Sequence, residues 1–89
     1  MPHVVAPKIN FTVYPNPAEN ILNISLENLN ESVNFSIINI LGVELTSGKL
    51  KKSERNSRLN ISEFPQGIYF IKIFNDFGIT TSKSFIISR

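Results

Sequence analysis

Phe64-Pro65-Gln66-Gly67-Ile68-Tyr69-Phe70-Ile71-Lys72-Ile73-Phe74 carries the strongest strand signal in the chain. From Ile68 to Phe74 every residue but Lys72 is apolar, and all of those are β-branched or aromatic, the types that suit a pleated surface. Strand alternation sends Tyr69, Ile71 and Ile73 to one face, and Ile68, Phe70 and Phe74 to the other with Lys72 among them. A strand apolar on both faces calls for cover on both, so this segment is expected to be the central strand of a small β domain. It is entered through a turn, because Pro65 presets φ and Gly67 tolerates a positive φ.

Working outward, the C-terminal neighbour Asn75-Asp76-Phe77-Gly78 reads as a hairpin turn. Ile79, Thr81, Lys83, Phe85 and Ile87 then share one face of a last strand. On the N-terminal side, Leu59-Asn60-Ile61-Ser62 reads as a short strand or corner. Residues 47–58 show no periodicity and hold Lys49, Lys51, Lys52, Arg55 and Arg58 against one acid, Glu54.

Earlier still, Leu22, Ile24 and Leu26 alternate with Asn23, Ser25 and Glu27, the pattern of a half-buried strand. Val33-Asn34-Phe35-Ser36-Ile37 alternates again. Leu41-Gly42 is expected at a hairpin tip, with Gly42 left-handed and Val43, Leu45 and Ser47 returning along one face. Asn39, just before that tip, suits a side chain that hydrogen-bonds turn backbone; ligand binding is the alternative. Phe11-Thr12-Val13-Tyr14 alternates and stops at Pro15-Asn16-Pro17, since neither proline can donate to a ladder. A stiff strand stop is the first reading of that tripeptide, and a polyproline-type docking ligand the second. Residues 1–10, with two prolines and little pattern, read as a linker or expression remnant, leaving 11–89 as the domain.

The pattern gives about seven strands at roughly ten-residue spacing and no helix. The expected fold is all-β, an antiparallel two-sheet sandwich, with a small barrel as its rival.

Composition narrows function. With 89 residues, 42% hydrophobic and 18% charged, the chain is one globular domain rather than a disordered segment. It has no cysteine, which excludes disulfides and thiolate metal sites. A net charge of +2 does not suggest nucleic acid. The basic stretch could grip phosphates or acidic sugars, but no aromatic residue interleaves it, so a solubilising loop is preferred. No apolar run approaches the ~20 residues that span a bilayer, and membrane insertion is not expected. Met1-Pro2-His3 begins neither a basic nor a long apolar leader, so the expectation is either a fragment of a larger precursor or an address that lies elsewhere in the chain.

The single histidine, His3, has no partner to orient it as a base, and the acids are dispersed. No nucleophile elbow, phosphate loop or dinucleotide fingerprint occurs, so no catalytic residue, metal or cofactor is assigned. Asn-x-Ser/Thr triplets at Asn10, Asn23, Asn30, Asn34 and Asn60 are weak glycosylation signals in a chain so rich in Asn and Ser.

The motifs fall in a recognisable order. Tyr14-Pro15-Asn16-Pro17-Ala18 is followed by Leu22-Asn23-Ile24, Ile37-Ile38-Asn39-Ile40-Leu41-Gly42, Leu59-Asn60-Ile61-Ser62-Glu63-Phe64-Pro65-Gln66-Gly67-Ile68-Tyr69-Phe70, and Ser82-Lys83-Ser84-Phe85-Ile86-Ile87. This set resembles the C-terminal sorting domain of Bacteroidetes proteins exported by the type IX (Por) secretion system, over nearly the whole chain. The resemblance implies a seven-stranded Ig-like sandwich that acts as a non-catalytic export address for an N-terminal cargo domain. The implied partners are the outer-membrane translocon with its shuttle protein, and a sortase-like cysteine peptidase that removes the domain as cargo is anchored. The implied route is periplasm, then cell surface or extracellular space.

By the same resemblance, Tyr14, Pro15, Asn16, Pro17, Asn39 and Gly42 are family-motif structural positions. Lys83, Phe85, Ile86, Ile87 and Arg89, with Gly67 and Tyr69 beside them, are the expected recognition residues. Cleavage is expected around Ala6, Pro7 and Lys8. Asn60 departs from the family pattern, where many members carry Asp. The competing reading is an Ig-like or fibronectin-like module that binds carbohydrate or protein through its loops.

Overall fold

The computed structural model describes residues 9–27, 31–51 and 55–89. Seven strands form in chain order: β1 (Asn10–Tyr14), β2 (Ile21–Glu27), β3 (Val33–Asn39), β4 (Glu44–Leu50), β5 (Asn56–Asn60), β6 (Gly67–Phe74) and β7 (Thr80–Ile87). They make a three-stranded sheet, β1-β2-β5, and a four-stranded sheet, β4-β3-β6-β7, with every ladder antiparallel. Two separate sheets make this a sandwich and not the rival barrel. The expected central strand is central: β6 lies between β3 and β7.

The core is the sum of the inward halves of each alternating pattern. Phe11, Leu22, Ile24 and Leu26 come from one sheet. Val33, Phe35, Ile37, Leu50, Tyr69, Ile71, Ile73, Phe85 and Ile87 come from the other, while Ala18 and Ile61 enter from connections. Each fully buried Leu, Ile or Phe here contributes about 1.5–3 kcal/mol of transfer free energy. Gly48 belongs to this packing: a Cβ there would lie 2.7 Å from Phe35 Cε1, so the Phe35 ring occupies the place of a side chain.

Three expectations are corrected. Cover on both faces of β6 does not occur, because the second sheet packs only on the Tyr69, Ile71, Ile73 side. Ile68 stays 51% and Phe70 40% exposed. Val43, Leu45 and Ser47 do not share a face. A bulge sets Thr46 opposite Ile37 but Glu44 opposite Ile38, so Leu45 is the extra residue and the alternation shifts across it. The strand expected at residues 59–62 starts earlier, since β5 pairs Asn56 to Asn60 with β2 along the end of the non-periodic stretch. The middle of that basic stretch, Lys52 to Glu54, lies outside the described residues.

The β3–β4 turn forms as its residues require. Asn39 Oδ1 accepts the N–H groups of Leu41 (2.9 Å) and Val43 (3.0 Å), and Gly42 has φ 82°. The same device recurs between β6 and β7. Asn75 Oδ1 accepts from Phe77 and Ile79, both at 3.0 Å, ahead of Gly78 at φ 87°. The shared sequence signal, Asn-x-Leu/Phe-Gly-Val/Ile at 39–43 and 75–79, was available for both turns.

Candidate functional site

Apart from Lys83, which lies opposite Ile71 in the middle of β7, the expected recognition residues meet at one end of the sandwich, where β7 finishes beside the start of β6. Register sets Ile86 opposite Ile68, Ile87 opposite Gly67 and Phe85 opposite Tyr69. Alternation then divides them. Phe85 and Ile87 are buried at 0% and 1% exposure, and Tyr69 is buried at 5%. Tyr69 stacks between Phe64 (centroids 6.0 Å apart) and Phe85 (5.7 Å), and its hydroxyl donates to Pro65 O, which fixes the turn that ends at Gly67. Gly67 itself has φ 154°. These three side chains form the frame of the site. Ile86 points outward, and Gly67, Lys83 and Arg89 are exposed. Lys83 reaches across the gap between the sheets, with Nζ 5.5 Å from the Phe11 ring centroid, so its stem covers the edge of the core.

The family-motif prolines lie against the same strand. After Tyr14, the Tyr14–Pro15 and Asn16–Pro17 peptide bonds are cis, and residues 15–18 run along the outer edge of β7. Asn16 Oδ1 accepts the Ile86 N–H at 2.9 Å, Ala18 N–H donates to Ile86 O at 2.7 Å, and Ser88 N–H donates to Ala18 O at 2.9 Å. Pro15-Asn16-Pro17 therefore stops β1 and also caps the last third of an edge strand that would otherwise present free backbone groups. Asn23 Nδ2 donates to Tyr14 O at 3.1 Å and holds the entry to this cap.

The outer faces of the two sheets differ. On the three-stranded sheet the outward positions Thr12, Asn23, Ser25, Asn56, Arg58 and Asn60 are polar, while Tyr14 and the half-buried Ile21, near the cap, are apolar there. The four-stranded sheet is mainly polar at one end, where Asn34, Lys72, Ser82 and Thr80 surround the half-buried Phe74, and mainly apolar at the other, where Glu44 and Ser84 lie at its sides. There Ile38 faces Phe70, Ile68 faces Ile86 (44% exposed), and the hairpin tip adds Ile40 (69%) and Leu41 (82%). A shallow cleft of about 230 Å³ separates that tip from the Gln66-Gly67 turn, with Ile68 on its wall. Large contiguous apolar exposure of this kind is a mark of interaction surfaces. Sequence periodicity identified which residues of β6 share this face, but it led to the expectation that the face is covered, and it is exposed.

Among the described residues no group of three His, Cys, Asp or Glu side chains converges, and no helix is long and apolar enough to cross a membrane. The expected cleavage residues Ala6, Pro7 and Lys8 lie outside the described residues.

Comparison with known proteins gives a family and a fold. A family model described as "Secretion system C-terminal sorting domain" matches residues 12–88. Among solved structures, the chain is similar to the crystal structure of a DUF3244 family protein with an immunoglobulin-like β-sandwich fold from Bacteroides vulgatus ATCC 8482. The TM-score is 0.73 at 14% identity, covering 88% of this chain and 84% of that one, a likeness of fold alone. No curated protein matches.

Proposed function

Because the chain belongs to the secretion system C-terminal sorting domain family, we propose that it is a non-catalytic address read through the apolar end of its four-stranded sheet. Membership makes it a type IX export signal, directed toward the cell surface or extracellular space, that works with the secretion machinery on an attached cargo. The finer reading is that translocon or shuttle contacts Ile86, Ile68, Gly67 and Phe70, with Arg89 beside them and Lys83 contributing only from the neighbouring edge of β7, while Phe85, Ile87 and Tyr69 hold that surface in shape.

One observation carries this: the exposed Ile68, Phe70 and Ile86 lie together on the strand pair that the family motifs frame, beside a β7 edge already capped by Asn16 and Ala18. With that edge occupied from Ile86 to Ser88, recognition by face is favoured over strand addition at this end. The rival, a loop-based binding module, wants its exposed aromatic and aliphatic tips in one cluster. Here Leu41 and Phe77 sit on hairpins at opposite ends of the four-stranded sheet.

A reporter joined ahead of residue 1 is expected outside cells that carry the type IX apparatus and inside an otherwise identical strain without it. Equal release from both strains would refute the proposal. We further propose that a sortase-like peptidase cuts at residues 6–8, with cargo then anchored. The intact mass of released reporter checks this, and a cut beyond Phe11 contradicts it.

A further inference from the structure

Resting on the reading of that surface, we propose that Arg89 is a positioning residue, held in a seat specific for a guanidinium group, that keeps the end of β7 closed and Ile86 presented. Arg89 crosses from the end of β7 to two other connections. Its Nη1 donates to Phe64 O at 2.6 Å, Nη2 to Ile61 O at 2.7 Å and Nε to Asn20 Oδ1 at 3.2 Å. Its backbone N–H donates to Gln66 Oε1 at 2.7 Å.

The seat is built from segments that already bind one another. Ile61 N–H donates to Asn20 O at 2.8 Å, and Phe64 N–H to Ile61 O at 3.0 Å, so the three acceptors belong to one braced corner. Gln66 precedes Gly67, the ladder partner of Ile87. One residue thus ties β7 to the β1–β2 connection, to the β5–β6 connection and to the turn that begins β6.

The chemistry selects guanidinium over ammonium. A planar fork spreads five donors in fixed directions and can reach acceptors on three residues at once. An ammonium offers three donors from one atom and cannot span them. Arg89 is exposed, so its charge alone is screened and of small consequence, whereas the directed hydrogen bonds are lost with the fork. A basic residue read purely as charge would be replaceable by lysine; one that seats a fork would not.

Amide exchange on the 89-residue chain, followed by NMR, separates the two. In R89A, the Ser88 amide is expected to exchange at least about tenfold faster, while Ile24 and Ile71 in the core are unchanged. R89K should behave like R89A. Millimolar methylguanidinium should restore slow Ser88 exchange to R89A, and methylammonium should not. In cargo fusions, R89K is expected to reduce export although the domain stays folded. Wild-type exchange in R89K, equal rescue by methylammonium, or full export of R89K would each overturn the proposal. Should charging the Ile68–Ile86 pair leave export intact, the surface reading fails, and the exchange measurements still judge the seat by themselves.

Discussion

Phe85→Ala is expected to lower the unfolding free energy by about 3–5 kcal/mol, a large part of the 5–15 kcal/mol typical of a domain. The side chain is 0% exposed, sits on β7 against Tyr69, and lies where the two sheets and the cap converge. Truncation removes an aromatic ring and leaves a cavity that neighbours from two sheets cannot readily fill. At roughly 1 kcal/mol per molar urea for a chain of this size, the midpoint should fall by about 3–5 M at unchanged slope. Ile86→Ala, one residue on and 44% exposed, should cost less than about 1 kcal/mol. Equal losses at the two positions would mean that β7 is not in this register.

The second large effect concerns function without stability. Ile68→Lys with Ile86→Glu converts a directly opposed apolar pair into an opposed charge pair, an exchange that β ladders accept. The core side of both strands is untouched, so the unfolding midpoint is expected to hold. Export of a fused reporter should fall at least about tenfold, since buried interface anchors are commonly worth 2 kcal/mol or more. The matched change on the other sheet, Ser25→Lys with Asn56→Glu, should leave export unchanged. If both pairs act alike, the difference between the two outer faces has no bearing on recognition.

Much of this architecture follows from alternation. Leu22, Ile24 and Leu26 against Asn23 and Ser25, or Phe85 and Ile87 against Ile86, state which side is inside. Alternation does not say whether a second layer lies over the other side. An apolar outer face on β6 therefore reads as buried when it is exposed. β5, Asn56-Ser57-Arg58-Leu59-Asn60, has a single large apolar residue and is recruited by pairing with β2, a non-local cause that leaves little local trace. The bulge at Leu45 shifts the faces of β4 with no glycine or proline to announce it.

The site was readable in pieces. Asn39 as a turn acceptor follows from the chemistry of Asn before a glycine hairpin, and the same reasoning applies to Asn75. The second role of Pro15-Asn16-Pro17, as a cap on a strand 70 positions away, depends on tertiary contact. The seat of Arg89 likewise joins residues 25–69 positions apart and has no sequence motif of its own.

Site-directed photo-crosslinking in exporting cells tests the recognition surface most directly. Phe70→benzoylphenylalanine puts an aromatic probe on the apolar end of the four-stranded sheet, and Arg58→benzoylphenylalanine puts it on the polar face of the other. The account predicts a covalent product with an outer-membrane component of the export apparatus from position 70 and none from position 58. A product from position 58 with none from position 70 would contradict it.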